Sequence, residues 1–293
     1  MISVIVPFYN AEEFIFELLS ALKSQDYSEP YELIFVDNNS TDGSPKIVES
    51  FIAENNVTCR LFYYTEKPSS YGARNIGVKN ALGDIFAFTD ADCIPTKSWL
   101  TNISKIFSSN NKNKLVISGD VDLKILNENN IWEQFDKIAH MRNDKNIDKA
   151  NVATANMAVS KEAFNAVGPF QELLSGADYL WSQRAKSLGL TVLFIPEVLV
   201  FHPTRKTVTE IKKKLFRIAI GQAQQYRGLK KLNFTRYKYI FTSASPLRVA
   251  RYTYAILKQV GLIRSIKFAL LFQILILEQS WQYLLALKNE RKV

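Results

Sequence analysis

Cysteine, histidine and long apolar runs are all scarce in this chain of 293 residues. Its two cysteines, Cys59 and Cys93, allow no disulfide framework and lack the spacing of a metal centre. Both lie in or beside predicted strands, where reduced core thiols are expected. No charged stretch followed by a short apolar run opens the chain. Ile2-Ser3-Val4-Ile5-Val6 enters a strand at once, so no signal peptide is expected and a cytoplasmic setting follows. No two glycines stand two apart, which removes the dinucleotide fingerprint. Gly72 and Gly77 have phosphate-loop spacing, but Val78 stands where such a loop needs lysine. Nicotinamide chemistry and P-loop hydrolysis both lose support. Acidic residues are missing from one region in particular. Residues 201–293 hold 19 of the 37 Lys and Arg but 3 of the 28 Asp and Glu, a balance of +16. The other 200 residues hold 18 and 25, a balance of −7. This asymmetry divides the chain into residues 1–205 and a basic extension, 206–293.

Apolar residues make up 47% of the chain, enough for a sizeable core. In the first half, strand and helix patterns alternate. Strands are expected at 2–7, 31–36, 60–64, 85–88 and 115–118. Helices are expected at 11–25, with Phe14, Leu18 and Leu22 on one face, at 44 onward, where Ser44-Pro45 reads as a cap and first turn, at 71–81, and from Pro95. Strands separated by helices of this length predict an α/β fold with a doubly wound, mostly parallel sheet and flanking helices. Further on, 131–142 and 177–188 read as helices and 152–159 and 191–201 as strands.

The C-terminal extension reads differently. Residues 208–228 form a basic helix carrying Lys212, Lys213, Lys214 and Arg217. Residues 246–288 are apolar and helical, with Leu270, Ile274, Leu277, Trp281 and Leu284 on one face. The longest unbroken apolar stretch there is Phe268–Phe272, far short of the roughly 20 residues a bilayer span needs. An interfacial or partner-packed helix is expected, either on the inner face of the membrane or in a homo-oligomer. The lysines are interleaved with Leu, Ile and Phe at helix spacing, which suits a membrane surface better than nucleic acid.

The chemistry is carried by motifs at strand ends. Thr89-Asp90-Ala91-Asp92 follows the apolar run 85–88. Two carboxylates two apart on an extended segment point the same way, toward the sheet edge where α/β proteins bind ligands. Such a pair holds a hard divalent cation, completed by substrate phosphates, or is simply solvated. Its neighbours give it weight. Val6-Pro7-Phe8-Tyr9-Asn10 ends the first strand, and Val36-Asp37-Asn38-Asn39-Ser40-Thr41-Asp42-Gly43-Ser44 ends the second. Gly72-Ala73-Arg74-Asn75-Ile76-Gly77 follows the third. Later come Thr154-Ala155-Asn156-Met157, Gly176-Ala177-Asp178 with Arg184, and Phe201-His202-Pro203.

This ordered set resembles the inverting family 2 glycosyltransferases of the GT-A fold, over roughly residues 1–205. The resemblance implies transfer of a sugar from a nucleotide diphosphate, UDP by default, to a glycan or lipid-linked glycan hydroxyl. The setting would be cell-surface polysaccharide or glycoconjugate assembly, and the cofactor Mn²⁺ or Mg²⁺. It implies Asp37 for the nucleotide base, Pro7, Tyr9 and Arg74 for the donor pocket and Asp92 for the metal. Asp90 would hold ribose or a metal-bound water. Asp178 would be the general base, His202 a further metal ligand, and Asn156 and Trp181 acceptor contacts. Many members carry Glu-Asp with another acid two positions on. Here Ala177 and Leu180 stand in those places, so Asp178 must act alone. A metal on the diphosphate and one carboxylate at the acceptor hydroxyl suit a single displacement; retention would need a second, nucleophilic carboxylate.

Each residue also has a plainer reading. Asp37 caps a turn, Asp178 caps a helix, and Arg74 makes a surface ion pair. His202 is a rim residue held extended by Pro203, Asn156 closes a strand, Trp132 and Trp181 are core, and His140 is structural. Two rivals come from other classes. A nucleotidyltransferase would want a basic, Gly-rich segment near the first strand, which Val6–Asn10 lacks. An inactive carbohydrate- or membrane-binding protein on the same fold would have no use for Asp92 and Asp178.

Overall fold

The structure is a computed structural model that describes residues 1–55, 57–109, 114–139, 152–226, 240, 242 and 244–289. His140 and the predicted helix ends at 140–142 and 227–228 lie outside these. In chain order the elements are β1 (Ile2–Phe8), α1 (Ile15–Lys23), β2 (Tyr31–Asp37), α2 (Ser44–Glu54), β3 (Thr58–Tyr63), α3 (Ser70–Asn80), β4 (Ile85–Thr89), β5 (Ile94–Pro95) and α4 (Trp99–Ser109). There follow β6 (Leu115–Lys124), α5 (Ile131–Ala139), β7 (Asn156–Ser160), α6 (Lys161–Val167), α7 (Ala177–Ser187) and β8 (Thr191–Pro203). Three helices come last: α8 (Val208–Gln224), α9 (Pro246–Val260) and α10 (Leu262–Asn289). The chain divides into two compact units: 1–122 with 141–172 and 177–202, and 123–140 with 173–176 and 203–293.

The first unit is built on the sheet, whose strand order is β3, β2, β1, β4, β7, β6, β8, β5. The expected parallel order holds from β3 to β4. Strand β7 then runs antiparallel to β4 and β6, and β5 antiparallel to β8, so the sheet is mixed. Strands β1 and β2 are continuous apolar runs because helices cover both faces of a parallel sheet. Glu32 is the exception, fully buried within β2. Ser3 Oγ (2.5 Å), the Leu82 N–H (2.6 Å) and Arg60 (2.6 Å) bind its carboxylate. Burial alone would raise its pKa, yet these three bonds hold it below the ordinary carboxylate value.

Three local expectations shift. Helix α1 begins at Ile15 rather than 11, and the N–H groups of Asn10, Ala11 and Glu12 ahead of it are bound by Ser40, Ser44 and Asp42 side chains. Ser44 therefore does not cap α2. Its hydroxyl accepts from Ala11 N–H (2.8 Å) and donates to Asp42 Oδ1 (2.5 Å). Pro95 closes β5, and α4 starts only at Trp99. The phosphate-like spacing of Gly72 and Gly77 has a packing cause at Gly77, where a Cβ would lie 2.5 Å from Ile5 Cγ2.

In the second unit, Phe135, Ile211, Leu215, Phe268, Phe272 and Ile276 form the core. Phe135 stands 4.7 Å from the Phe272 ring and 5.3 Å from that of Phe268. This packing draws residues 123–140 to the extension, although their charge does not mark them. The apolar segment 246–288 is two helices, broken at Gly261, whose φ of +81° suits glycine alone. Among the described residues no helix is long and apolar enough to cross a membrane.

Candidate active site

Parallel register brings the ends of β1, β2 and β4 to one edge of the sheet. Phe8 lies opposite Asp37, and Ile5 opposite Phe88. Pro7 is buried in β1, while Tyr9, just past its end, is 59% exposed. Asp37 ends β2 and is buried, with Oδ1 accepting from the Ser40 N–H at 2.9 Å. It does cap its turn, as the plainer reading held.

Helix α3 carries Arg74 to this edge. The guanidinium is 3% exposed, so this is no surface ion pair. Its Nη2 donates to Asp90 Oδ1, and its charge lies 5.5 Å from the centre of the Tyr71 ring. Its Nε has no partner, a buried donor left beside Asp90. Tyr71, one helical turn earlier, donates its hydroxyl to Asp178 Oδ1 at 2.9 Å. The sequence reading missed Tyr71; its place three residues before Arg74 on one helix face was the available signal.

Asp178 lies in the first turn of α7, where the helix dipole favours an anion. Oδ1 also accepts from the Tyr179 N–H at 2.9 Å, and Oδ2 receives a longer contact of 3.4 Å from the Thr154 N–H. Oδ2 is thus the less committed oxygen. Two residues past Asp90, Asp92 Oδ2 stands 3.3 Å from Nε2 of His202, the next-to-last residue of β8. One run of contacts therefore joins Asp178, Tyr71, Arg74 and Asp90, and Asp92 and His202 adjoin it in sequence and in space.

The two expected acceptor contacts are placed elsewhere. Asn156 is fully buried, accepts from Trp99 Nε1 (2.9 Å) and donates to the carbonyls of Asp120 (2.7 Å) and Val198 (2.8 Å). It ties strands β6 and β8 to the start of helix α4, since a buried amide must satisfy its polar atoms. Trp181 is also fully buried, stacks on Phe164 at 5.6 Å and donates to the Gly168 carbonyl. Trp132, likewise, packs on Phe268.

The residues present fit a divalent cation. Asp37, Asp90, Asp92 and Asp178 outnumber Arg74, so a diphosphate could not settle here without added positive charge. Asp92 Oδ2 and His202 Nε2, 3.3 Å apart, are the oxygen and nitrogen that could hold the cation. No group of three or more metal-ligating side chains occurs among the described residues. A cation shared with substrate phosphates is commonly held by one or two protein carboxylates.

The model of the family described as glycosyl transferase family 2 matches residues 3–168. The chain is 36% identical over 227 residues to glycosyltransferase AglE of Haloferax volcanii, covering 76% of this chain and 73% of that protein. It is 32% identical over 117 residues to the poly(ribitol-phosphate) beta-N-acetylglucosaminyltransferase TarS of Staphylococcus aureus, 39% of this chain and 20% of that one. The TarS 1-349 structure with UDP-GlcNAc superposes with a TM-score of 0.56 at 18% identity, covering 99% and 91% of the two chains. The mannosyltransferase PcManGT of Pyrobaculum calidifontis, in complex with GDP-Man and Mn²⁺, gives 0.62 at 18% identity, covering 97% and 86%. The fold is that of the GT-A glycosyltransferases. With more than half its length matched by the family model, this chain belongs to glycosyl transferase family 2.

Proposed function

We propose that the chain transfers a sugar from a nucleotide diphosphate, a UDP-sugar first, to a hydroxyl of a glycan or lipid-linked glycan, with inversion at the anomeric carbon. The observation that carries this is the run Asp178–Tyr71–Arg74–Asp90, which ties a carboxylate at a helix start to the donor side of the sheet edge. Asp178 takes the acceptor hydroxyl's proton on Oδ2, which holds only the longer contact from the Thr154 N–H while Tyr71 and the Tyr179 N–H hold Oδ1. Arg74, with its unpartnered Nε, meets the diphosphate, and Asp37 and Tyr9 take the nucleoside. Asp92 and His202 would hold Mn²⁺ or Mg²⁺, which when bound neutralises charge developing on the leaving diphosphate. A single base without a partner acid supports one displacement. The named relatives support the setting: TarS by its name acts on poly(ribitol-phosphate), and the PcManGT complex holds a nucleotide sugar together with Mn²⁺. The working place is the cytoplasmic side of a membrane, with the basic 206–293 segment as the part that meets it. Free Cys59 and Cys93 fit a reducing compartment.

Calorimetry with UDP and GDP, in manganese and in EDTA, tests the donor half. UDP should bind more tightly with manganese, and Asp92→Asn should lose that dependence while staying folded. Equal UDP affinity in EDTA and in manganese would sink the metal assignment. Anomeric configuration of the product by NMR tests the other half; retention would refute Asp178 as sole base.

A further inference from the structure

The apolar face read from the sequence of the last helix is the one that the described chain leaves bare. Ile263, Ile266, Leu270, Ile274, Leu277 and Trp281 recur at three, four, four, three and four residues and are 52–73% exposed. The opposite face, with Phe268, Phe272 and Ile276, fills the core of the second unit. At 1.5 Å per residue the bare stripe is about 27 Å long. A soluble surface rarely carries so continuous an apolar ridge without an occupant.

Charge selects the occupant. Helices α9 and α10 carry Arg248, Arg251, Lys258, Arg264, Lys267 and Lys288 against a single acid, Glu278. That acid is engaged by Lys212 at 2.9 Å. A second copy packed through the same two helices would bring more cations to the ridge and only Glu278, already engaged, to answer them. An anionic lipid surface answers both the cations and the apolar ridge. The ridge is too narrow for a span, since the same helix buries its other face in protein and no described helix is long and apolar enough to cross. Trp281 at one end suits the headgroup boundary, where indole rings collect. We infer that α10 lies in the plane of an anionic membrane, with Ile263–Trp281 sunk at the headgroup–acyl boundary and Arg264 and Lys267 on the headgroups. This gives the lipid-linked acceptor proposed above its surface; it rests on that reading for its purpose.

The test is sedimentation of the full-length protein with vesicles of phosphatidylcholine and phosphatidylglycerol, against phosphatidylcholine alone, at low and high salt. Binding should need the anionic lipid and weaken with salt. Ile266→Ser/Leu270→Ser/Ile274→Ser should bind at least about tenfold more weakly with an unchanged melting curve, because the three sites are exposed. Arg264→Gln/Lys267→Gln should lose about fivefold for each charge removed. A wild-type protein that stays in the supernatant with anionic vesicles at low salt overturns the inference, and so does a triple variant that sediments like the wild type. A solution dimer that the triple variant dissociates, without vesicle binding, would assign the ridge to a second copy instead. UDP calorimetry on the same samples keeps the two readings apart. Its failure removes the donor and leaves the vesicle result standing.

Discussion

Each unit buries a charged network, and the two networks are built to different ends. In the first, Asp90 and Asp92 keep 30% and 34% of their side-chain surface open, and Arg74 keeps a donor unpartnered. In the second, Asp136 is 1% exposed and is bound by Arg205 at 3.0 Å and by Lys214 at 2.9 Å. Burial alone would lift the Asp136 carboxyl, yet the two cations hold it below its ordinary range. Lys214 goes the other way: burial and repulsion from Arg205 outweigh Asp136 and bring its ammonium down to about 7. Two cations share one carboxylate, so the carboxylate gains twice while each cation is opposed by the other. A network left open on one side is available to a ligand; a closed one answers only to the fold. The contrast predicts that damage to the first should appear in turnover and damage to the second in stability.

The largest effect expected is at Asp178. Asp178→Asn should cut transfer by roughly 10²–10⁴-fold, the worth of a positioned base, with nucleotide affinity and melting temperature unchanged. Steady-state kinetics beside nucleotide calorimetry would show it, and a full loss of nucleotide binding would erase the contrast. Asp136→Asn should instead destabilise by about 3 kcal/mol, the lower end for a broken buried pair, because it leaves the partly buried Lys214 and Arg205 without their anion. Urea denaturation reads this directly. The same network makes a pH prediction. The depressed folded pKa of Asp136 means that its stabilisation is present above the ordinary carboxylate range. It is lost as pH falls through the folded value, because the unfolded chain takes up the proton first. The variant should lack that part of the acid sensitivity.

Tyr71→Phe sharpens the comparison inside the first network. It keeps the ring that faces Arg74 and Phe170 and removes the hydroxyl bonded to Asp178. A hydrogen bond to a charged group is worth about 1.5–3 kcal/mol, so turnover should fall roughly 10- to 100-fold with donor affinity intact. A parallel fall in donor affinity would recast Tyr71 as part of the pocket wall. The smallest effect is expected at Gly261. Its φ of +81° is strained for any side chain, although nothing lies within 4 Å of an added Cβ. Gly261→Ala should therefore destabilise the second unit by about 1–3 kcal/mol through the backbone alone and leave turnover untouched.

How much of this was legible beforehand depended on range. Strand-end motifs at Asp37 and Asp90–Asp92 can be read because a parallel sheet delivers strand ends to one edge whatever the details. His202 is named beside Asp92 only through the family resemblance; the 3.3 Å approach of the two, 110 residues apart, is set by the tertiary structure. For Asn156 and Trp181 the sequence leaves both an acceptor contact and a core role open, and only tertiary structure shows that Asp120, Val198 and Trp99 take up the one and Phe164 and Gly168 the other. Ser44 was read as a helix cap, but its hydroxyl serves the loop after β1.

The amino-acid sequence by itself determined the alternation of elements, the edge at which the carboxylates gather, the charge asymmetry and the amphipathic period of the last helix. All are local properties, set by residue spacing along one segment. Tertiary structure decided the antiparallel half of the sheet, the recruitment of residues 123–140 to the helical unit and the bond from Tyr71 to Asp178. It also decided which of two apolar stripes on α10 is buried. Phe268 and Phe272 and the Leu270–Trp281 stripe repeat at compatible helical spacings, and periodicity cannot rank them. The choice came from Phe135, over 130 residues earlier, whose ring packs on the phenylalanines and leaves the other stripe to the solvent side.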